Sequence, residues 1–221
     1  MINSAEVAEW QTEKFNKSTI NMIWNINTAY AIGLITTDGN LSKDGRHITF
    51  VSKDLSLVRL FRSCLGLKNK ISYKNSGFSR NGKYYFVQFG NVAFYRNLVK
   101  IGITPHKSKS IEKLNIRKEF FPDFLRGHLD GDGTIRTYND SKFKNCRRLY
   151  LSFISASKRH ILWLQREIYR LYSIKGKVRP GIRVWTVIYA KQESIKLLKS
   201  LYYKNGLPFL TRKYNLIRRY L

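Results

Sequence analysis

Asp123-Phe-Leu-Arg-Gly-His-Leu-Asp-Gly-Asp-Gly-Thr-Ile135 is an apolar-rich run that closes on Asp-Gly, a polar residue and an aliphatic one. An earlier stretch repeats the pattern: Ala29-Tyr-Ala-Ile-Gly-Leu-Ile-Thr-Thr-Asp-Gly-Asn-Leu41. Asp38 falls on Asp132, Gly39 on Gly133 and Gly33 on Gly127. Self-similarity over this distance is the mark of two copies of one structural unit. Each run has helix length and helix formers, which predicts helices over 28–38 and 119–132. A Gly directly after the last acid suits a left-handed residue just past a helix end. Small residues recur four apart, Gly33 and Thr37 in one copy, Gly127 and Gly131 in the other. That spacing puts each pair on one helix face and lets two backbones approach closely, so these four residues are the expected helix–helix interface. Asp38 and Asp132 then stand side by side at the bottom of the pair. Both the helix dipoles and the like charge oppose them there. A divalent cation is the natural compensation, and the backbone carbonyls of Thr37 and Gly131 are further candidate ligands.

Ala31 to Gly39, AIGLITTDG, and Leu125 to Gly133, LRGHLDGDG, resemble the paired signature of the LAGLIDADG homing endonucleases. The resemblance runs from about Asn25 to about Tyr214. The first copy departs from the pattern at Thr36, where the family has an acid. By resemblance the chain is a single-chain, two-motif member: a monomer with a saddle-shaped surface for double-stranded DNA. The resemblance implies that it binds a long, imperfectly palindromic site and cuts both strands across the minor groove. It implies metal-binding and catalytic roles for Asp38 and Asp132, with Mg²⁺ or Mn²⁺ as cofactor. Lys53 resembles a lysine that some members place beside the metal site; its counterpart in the second copy is Ala156. The run from Pro208 to Lys213 resembles the stretch that carries an active-site lysine, with 105–109 as the first copy's counterpart. For each lysine, an ordinary phosphate contact is the alternative.

Composition points the same way. Lys and Arg number 41 against 14 Asp and Glu, a net charge of +27, and a folded chain this basic calls for a polyanion. The basic residues are spread through strands and loops, not gathered in a tail. No apolar run of spanning length speaks for a membrane. Cys64 and Cys146 lie in unrelated contexts and predict an intracellular, reducing compartment without a disulfide or zinc framework. No phosphate-binding glycine loop or histidine cluster is written in the chain. The acids between Lys14 and Ile111 are Asp38, Asp44 and Asp54. Asp44-Gly45 reads as a turn and Asp54 as a helix N-cap, which leaves Asp38 to be explained by chemistry.

In order, 1–24 is an expected N-terminal appendage, helical over 1–18 with Val7, Trp10 and Phe15 on its apolar side. The first unit spans 25–103. After the motif helix come strands over 40–43 and 47–52, a helix over 54–65, strands over 71–76 and 83–89 turned at Asn81-Gly82, and a helix over 92–101 stopped by Gly102. The polar stretch 104–118 reads as a linker. The second unit, 119–221, repeats the order: strands over 134–138 and 148–155, a helix over 158–172, strands over 174–179 and 183–189, a helix over 192–203, and a basic tail from Leu207. The fold class is therefore α+β, two pseudo-symmetric αββαββα units with antiparallel sheets.

Strand alternation separates a core face from a nucleic-acid face. Leu149, Leu151 and Phe153 take one side and Arg148, Tyr150 and Ser152 the other. Thr134, Arg136 and Tyr138 alternate with Ile135. Lys175, Lys177 and Arg179 alternate with Ile174, Gly176 and Val178, and Arg183 opens the next strand. Ser72 and Lys74 alternate with Ile71 and Tyr73. Two-stranded ribbons fit the major groove and read base edges through such side chains. A non-cutting binder of the same fold, an intron-RNA maturase or a DNA-binding regulator, would explain charge and sheets equally well. It would not need both acids. His128 is expected as a packed interface residue and Asp130 as a structural or solvated one.

Overall fold

The computed structural model describes residues 24–75, 82–140, 142 and 147–221; the expected 1–18 helix, Asn81 and Cys146 lie outside them. The chain runs α1 (Ile26–Asp38), β1 (Gly39–Leu41), β2 (His47–Ser52), α2 (Leu55–Cys64), β3 (Ser72–Asn75), β4 (Lys83–Gly90) and α3 (Val92–Ile101). A short α4 (Lys107–Ser110) follows, then α5 (Phe121–Asp130), β5 (Thr134–Asn139), β6 (Arg147–Ser155), α6 (Lys158–Tyr172), β7 (Lys177–Gly181), β8 (Val184–Tyr189), α7 (Lys191–Leu201) and α8 (Thr211–Ile217). The strands form two four-stranded antiparallel sheets, ordered β1-β2-β4-β3 and β5-β6-β8-β7. The order within one sheet is the order within the other, so the α+β expectation and its internal repeat are both borne out.

Local chemistry explains the boundaries. Asn25, Asp54, Asn91 and Ser157 cap α1, α2, α3 and α6, each accepting a backbone N–H of the first turn. Gly102 ends α3 at φ 110°, a left-handed conformation that glycine adopts without a Cβ penalty. One apolar core runs through both halves: Phe50, Phe61 and Val87 in the first, Leu149, Phe153 and Leu164 in the second, with Tyr30, Phe124 and Leu125 of the motif helices between.

Several expectations are corrected. α5 begins after a 3-10 turn (Lys118–Phe120) and ends at Asp130, so Asp132 lies in the turn beyond the helix rather than within it. The Pro122 ring pre-sets the first turn but lacks an N–H, which limits the helix upstream. The stretch 104–118 is not a bare linker, because α4 forms there and Ile111 and Leu114 are buried in the core. The tail folds too: Leu210, Lys213 and Ile217 are buried on α8 and its approach. β7 starts at Lys177, leaving Lys175 ahead of the strand with its ammonium over the Tyr169 ring on α6. Tyr73 is not a core residue; it is 59% exposed, because β3 extends past the apolar layer, and it packs on Tyr85 and under Lys83.

Candidate active site and nucleic-acid interface

α1 and α5 touch backbone to backbone. A Cβ added at Gly33 would lie 2.1 Å from the Phe124 carbonyl oxygen, and one at Gly127 would lie 2.1 Å from that of Tyr30. One at Gly131 would strike the Thr37 hydroxyl at 2.0 Å and come within 3.2 Å of Asp38 Oδ2. No side chain fits at these crossings, which fixes the axial register of the two helices and carries both acids to the same end. Gly39 and Gly133 are required for a different reason from the expected left-handed turn. Gly39 is extended at φ −84°, and its added Cβ would meet Ile35 Cα at 2.6 Å. The corresponding contact at Gly133 is the Leu129 carbonyl, also at 2.6 Å. The chain turns back so tightly against its own helix that only glycine clears it.

Asp38 is half-buried at the last position of α1. Partial burial and then the Asp132 charge push its carboxyl up to about 6, against the Thr37 hydroxyl and the Lys107 and Lys213 ammoniums. Asp132 reaches solvent, yet it stands in a recess ringed by protein, and that desolvation raises its carboxyl as well. The two lysines are held differently. Lys213 is buried and donates to four carbonyls of the second motif's turn: Leu129 at 2.6 Å, Asp130 at 2.9 Å, Gly131 at 3.1 Å and Gly133 at 2.7 Å. An ammonium has three protons, so those acceptors saturate it. Lys107 is also buried but donates to one carbonyl, that of Gly39, leaving donor capacity beside the acids. Desolvation lowers both ammoniums to about 8.

A hollow of about 290 Å³ joins Thr37, Lys107 and Asp132 to Ser155, His160 and Val184. Lys107 was missed in the sequence as an individual residue; 105–109 carried a signal, but nothing in the pattern singled out which lysine turns inward. Lys53 is exposed at the end of β2, 5.2 Å from the centre of the Tyr84 ring. Lys107 and Lys213, not Lys53, supply the positive charge that acts on Asp38. The carbonyl of Gly131 already accepts from Lys213, so any metal there shares this oxygen with an ammonium.

Behind the acids, Asp130 is fully buried; its Oδ2 accepts the Tyr30 hydroxyl at 2.6 Å and the Leu210 amide at 2.8 Å. It ties α1 and the C-terminal segment to the motif. Arg126, also fully buried, pairs with Asp123 at 2.7 Å and donates to the Leu201 and Pro208 carbonyls. His128 lies against His160, Nε2 to Nε2 at 3.2 Å, with the ring planes 17° from parallel. His160 Nδ1 lies 2.8 Å from the Glu112 carbonyl and must donate to it. That leaves His160 Nε2 to accept from His128 Nε2. Burial pushes both rings below the ordinary histidine range, His160 to about 4. A neutral, buried pair of this kind packs the interface.

In-register residues share a sheet face, which defines the groove on each half. In the second sheet Thr134, Arg136 and Tyr138 stand opposite Ser152, Tyr150 and Arg148. Lys177 and Arg179 stand opposite Ile188 and Thr186. A hollow of about 440 Å³ is lined by Arg136, Tyr138, Tyr150, Ser152, Arg179 and Thr186. Tyr138 stacks on Tyr150 with ring centroids 6.1 Å apart, and Arg148 Nε pairs with Asp140 at 2.5 Å. Arg183 lies in the β7–β8 turn, not in the strand. In the first sheet Ser72 and Lys74 face the groove opposite Phe86 and Tyr84, with Val51, Thr49 and Gln88 completing the surface.

Oxygen donors from two carboxylates and a backbone carbonyl suit a hard cation such as Mg²⁺ or Mn²⁺, and the mutual repulsion of the acids fits a site built around one. Among the described residues no group of three or more His, Cys, Asp or Glu side chains gathers that could hold a metal, so further ligands would come from backbone, water or substrate. No described helix is long and apolar enough to cross a membrane.

No family model matches the sequence, and no curated protein matches it. Solved structures do match. The homing endonuclease I-WcaI bound to its DNA recognition sequence aligns at TM-score 0.62 and 14% identity, over 91% of each chain. I-DmoI in complex with DNA and Ca aligns at 0.57 and 14%, over 88% of this chain and all of that one. Full-length DUF199/WhiA from Thermatoga maritima aligns at 0.54 and 13%, over 94% of this chain, which spans 64% of the WhiA chain. Two helices packed through glycine, each delivering an acid between two matched sheets, give this chain the fold of the LAGLIDADG homing endonucleases.

Proposed function

We propose that this protein is a site-specific DNA endonuclease that hydrolyses one phosphodiester in each strand of a long, imperfectly palindromic duplex. The observation that carries the reading is the pairing of Asp38 with Asp132 at the foot of the glycine-packed helices. Raising the pKa of two carboxylates in this way costs stability at neutral pH, a cost that points to a functional role for the pair. A bound Mg²⁺ or Mn²⁺, held by Asp38, Asp132 and the Thr37 carbonyl, would supply an activated water and neutralise charge at the scissile phosphate. The chain's own residues do the rest. Lys107, with donor capacity to spare, binds a phosphate oxygen in the hollow it shares with Asp132. Lys213 holds the second motif's turn in place through its carbonyls and acts by positioning Asp132. The groove residues Arg136, Tyr150, Ser152, Lys177 and Arg179 bind the duplex, with Ser72 and Lys74 on the other half. Since one chain supplies both acids, a monomer suffices.

The solved DNA complexes of the same fold support a duplex partner. The fold, shared with DUF199/WhiA as well as with the endonucleases, does not by itself require cutting, which keeps a second reading in view: a binder that does not cut. Selection of cut duplexes from a randomised library in Mg²⁺ decides between them. The nuclease reading requires cleavage products that vanish with Asp38→Asn. Tight duplex or intron-RNA binding in EDTA, with no cutting in Mg²⁺ or Mn²⁺, establishes the binder instead.

A further inference from the structure

The connection between β7 and β8 breaks two local rules in adjacent residues. Ile182 is 93% exposed, the highest value among the large apolar side chains described; Tyr73 follows at 59%. A turn tip is a place for polar or small residues. Arg183, next to it, is left-handed at φ 60°. Among the described residues His106 and Ser173 share this conformation, whereas Gly45, Gly66, Gly102 and Gly206 place there the residue that bears it without strain. Such violations concentrate at functional sites, because a turn selected for stability alone would carry Asn-Gly.

The register shows where this turn stands. Gly181 pairs with Val184 at the end of the β7–β8 ladder, and Trp185 pairs with Ser155 at the end of β6. Ser155 and Val184 both line the hollow that contains Asp132. The turn therefore projects from the inner end of the second sheet, beside the acids, whereas the Asn139–Arg147 pair closes the β5–β6 ladder at the sheet's outer end. Arg179 and Thr186 flank it on the groove face.

Resting on the endonuclease reading, we infer that the β7–β8 turn is a wedge for the centre of the DNA site. Ile182 presses its apolar side chain against the base stack between the two scissile phosphates, and Arg183 anchors the turn on the adjacent backbone. An apolar side chain driven against a base step unstacks and bends it, and pyrimidine–purine steps yield most readily. The device thus selects for deformability where a hydrogen-bonding reader would select for base edges. It also compresses the duplex so that phosphates on opposite strands approach a single pair of acids.

The test uses a duplex selected by the wild-type protein from a randomised library in Ca²⁺, with 2-aminopurine placed in turn at each central position. Binding by the wild type is expected to raise its fluorescence at one central step, and Ile182→Ala to abolish most of that rise with an unchanged melting temperature. Across targets varied at the central steps, Ile182→Ala is expected to flatten the cleavage preference at least tenfold. Arg183→Gly, which relieves the left-handed strain, is expected to keep the fluorescence rise while weakening binding a few-fold. A wild-type complex without any central fluorescence change, or an Ile182→Ala protein with undiminished change and preference, overturns the wedge and leaves the endonuclease reading standing. A wild type that unstacks the centre without cutting keeps the wedge and overturns the endonuclease. A wild type that selects no duplex overturns both.

Discussion

The two acids and two lysines at the foot of the helix pair form a small electrostatic problem with a measurable sign. Asp38 titrates near 6 in the fold against an ordinary aspartate value of 3.8. The folded state therefore binds this proton more tightly than the unfolded chain. The stability it contributes is present below pH 4 and is lost as pH rises through 6. In EDTA, Asp38→Asn should stabilise the protein at pH 7.5, by about 1–3 kcal/mol allowing for solvent screening, with little difference at pH 4. Thermal melts across that range check the sign, and a destabilised mutant at pH 7.5 contradicts the repulsion. Mg²⁺ should raise the melting temperature of the wild type at pH 7.5 and do so less for Asp38→Asn, since binding to the native state alone is stabilising. The lysines should separate by assay. Lys213→Met removes the cation from four carbonyls, three of them buried, and should cost about 2–4 kcal/mol of stability. Lys107→Met loses one carbonyl contact and should instead slow cutting at least tenfold with a smaller stability loss. Equal melting temperatures with equal rates would show that the two sites are interchangeable.

At the scale of elements, the helix pair is the least forgiving part of the molecule. Gly33→Ala places a methyl where the Phe124 carbonyl stands 2.1 Å away, and backbone cannot step aside as a side chain can. The helices must separate, so the expected loss is about 3 kcal/mol or more, at the upper end of overpacking. Gly127→Leu should be worse still. Denaturant titration measures both, and a Gly33→Ala protein of wild-type stability would mean that the helices do not cross there. This crossing was legible in the sequence because it rests on residue size at fixed spacing. The ladders and α3 and α6 were legible for a similar reason: alternation and caps are local signals. What escaped was decided by distant partners. Lys107 is buried against the Gly39 carbonyl far away in sequence, and no local pattern marks a lysine that folds inward; Lys213 was reached through the family resemblance and not through any local signal. The stretch 104–118 looked like a linker because it is polar, yet Ile111, Leu114 and the Glu112 carbonyl are each used from outside it. Lys175 was assigned to a strand by alternation alone, whereas Gly176 beside it packs so closely on Tyr189 and Val187 that the ladder starts only at Lys177.

Across the whole molecule, the net charge of +27 and the two matched sheets serve different ends. Charge attracts any duplex, and the logarithm of affinity should fall with the logarithm of salt by roughly 0.9 per neutralised phosphate. On the endonuclease reading the groove faces add selectivity, and they are unequal. The second sheet offers Arg136 and Arg179 beside Tyr150, Ser152 and Thr186. The first offers Thr49, Val51, Phe86, Gln88 and Tyr84, with Lys74 and Lys53 at the margin. Arginine reads guanine through two hydrogen bonds, whereas apolar and hydroxyl side chains meet thymine methyls and groove shape. The selected DNA site should therefore be lopsided despite the pseudo-symmetric fold. The half lying on the second sheet should hold defined guanines, and the half on the first should tolerate substitution and favour A·T pairs. Arg136→Ala or Arg179→Ala should relax preference at one or two positions of the second half, costing about 1–3 kcal/mol each. Arg148→Ala should matter less to base preference, because its guanidinium is already engaged by Asp140. Lys177→Ala should lower the salt slope by about one and leave preference unchanged. Titrations at several salt concentrations on singly substituted sites distinguish these outcomes. A selected site equally defined in both halves, or Arg136 and Arg179 variants that shift only the salt slope, would mean that recognition runs through the DNA backbone and not through the arginines of the second sheet.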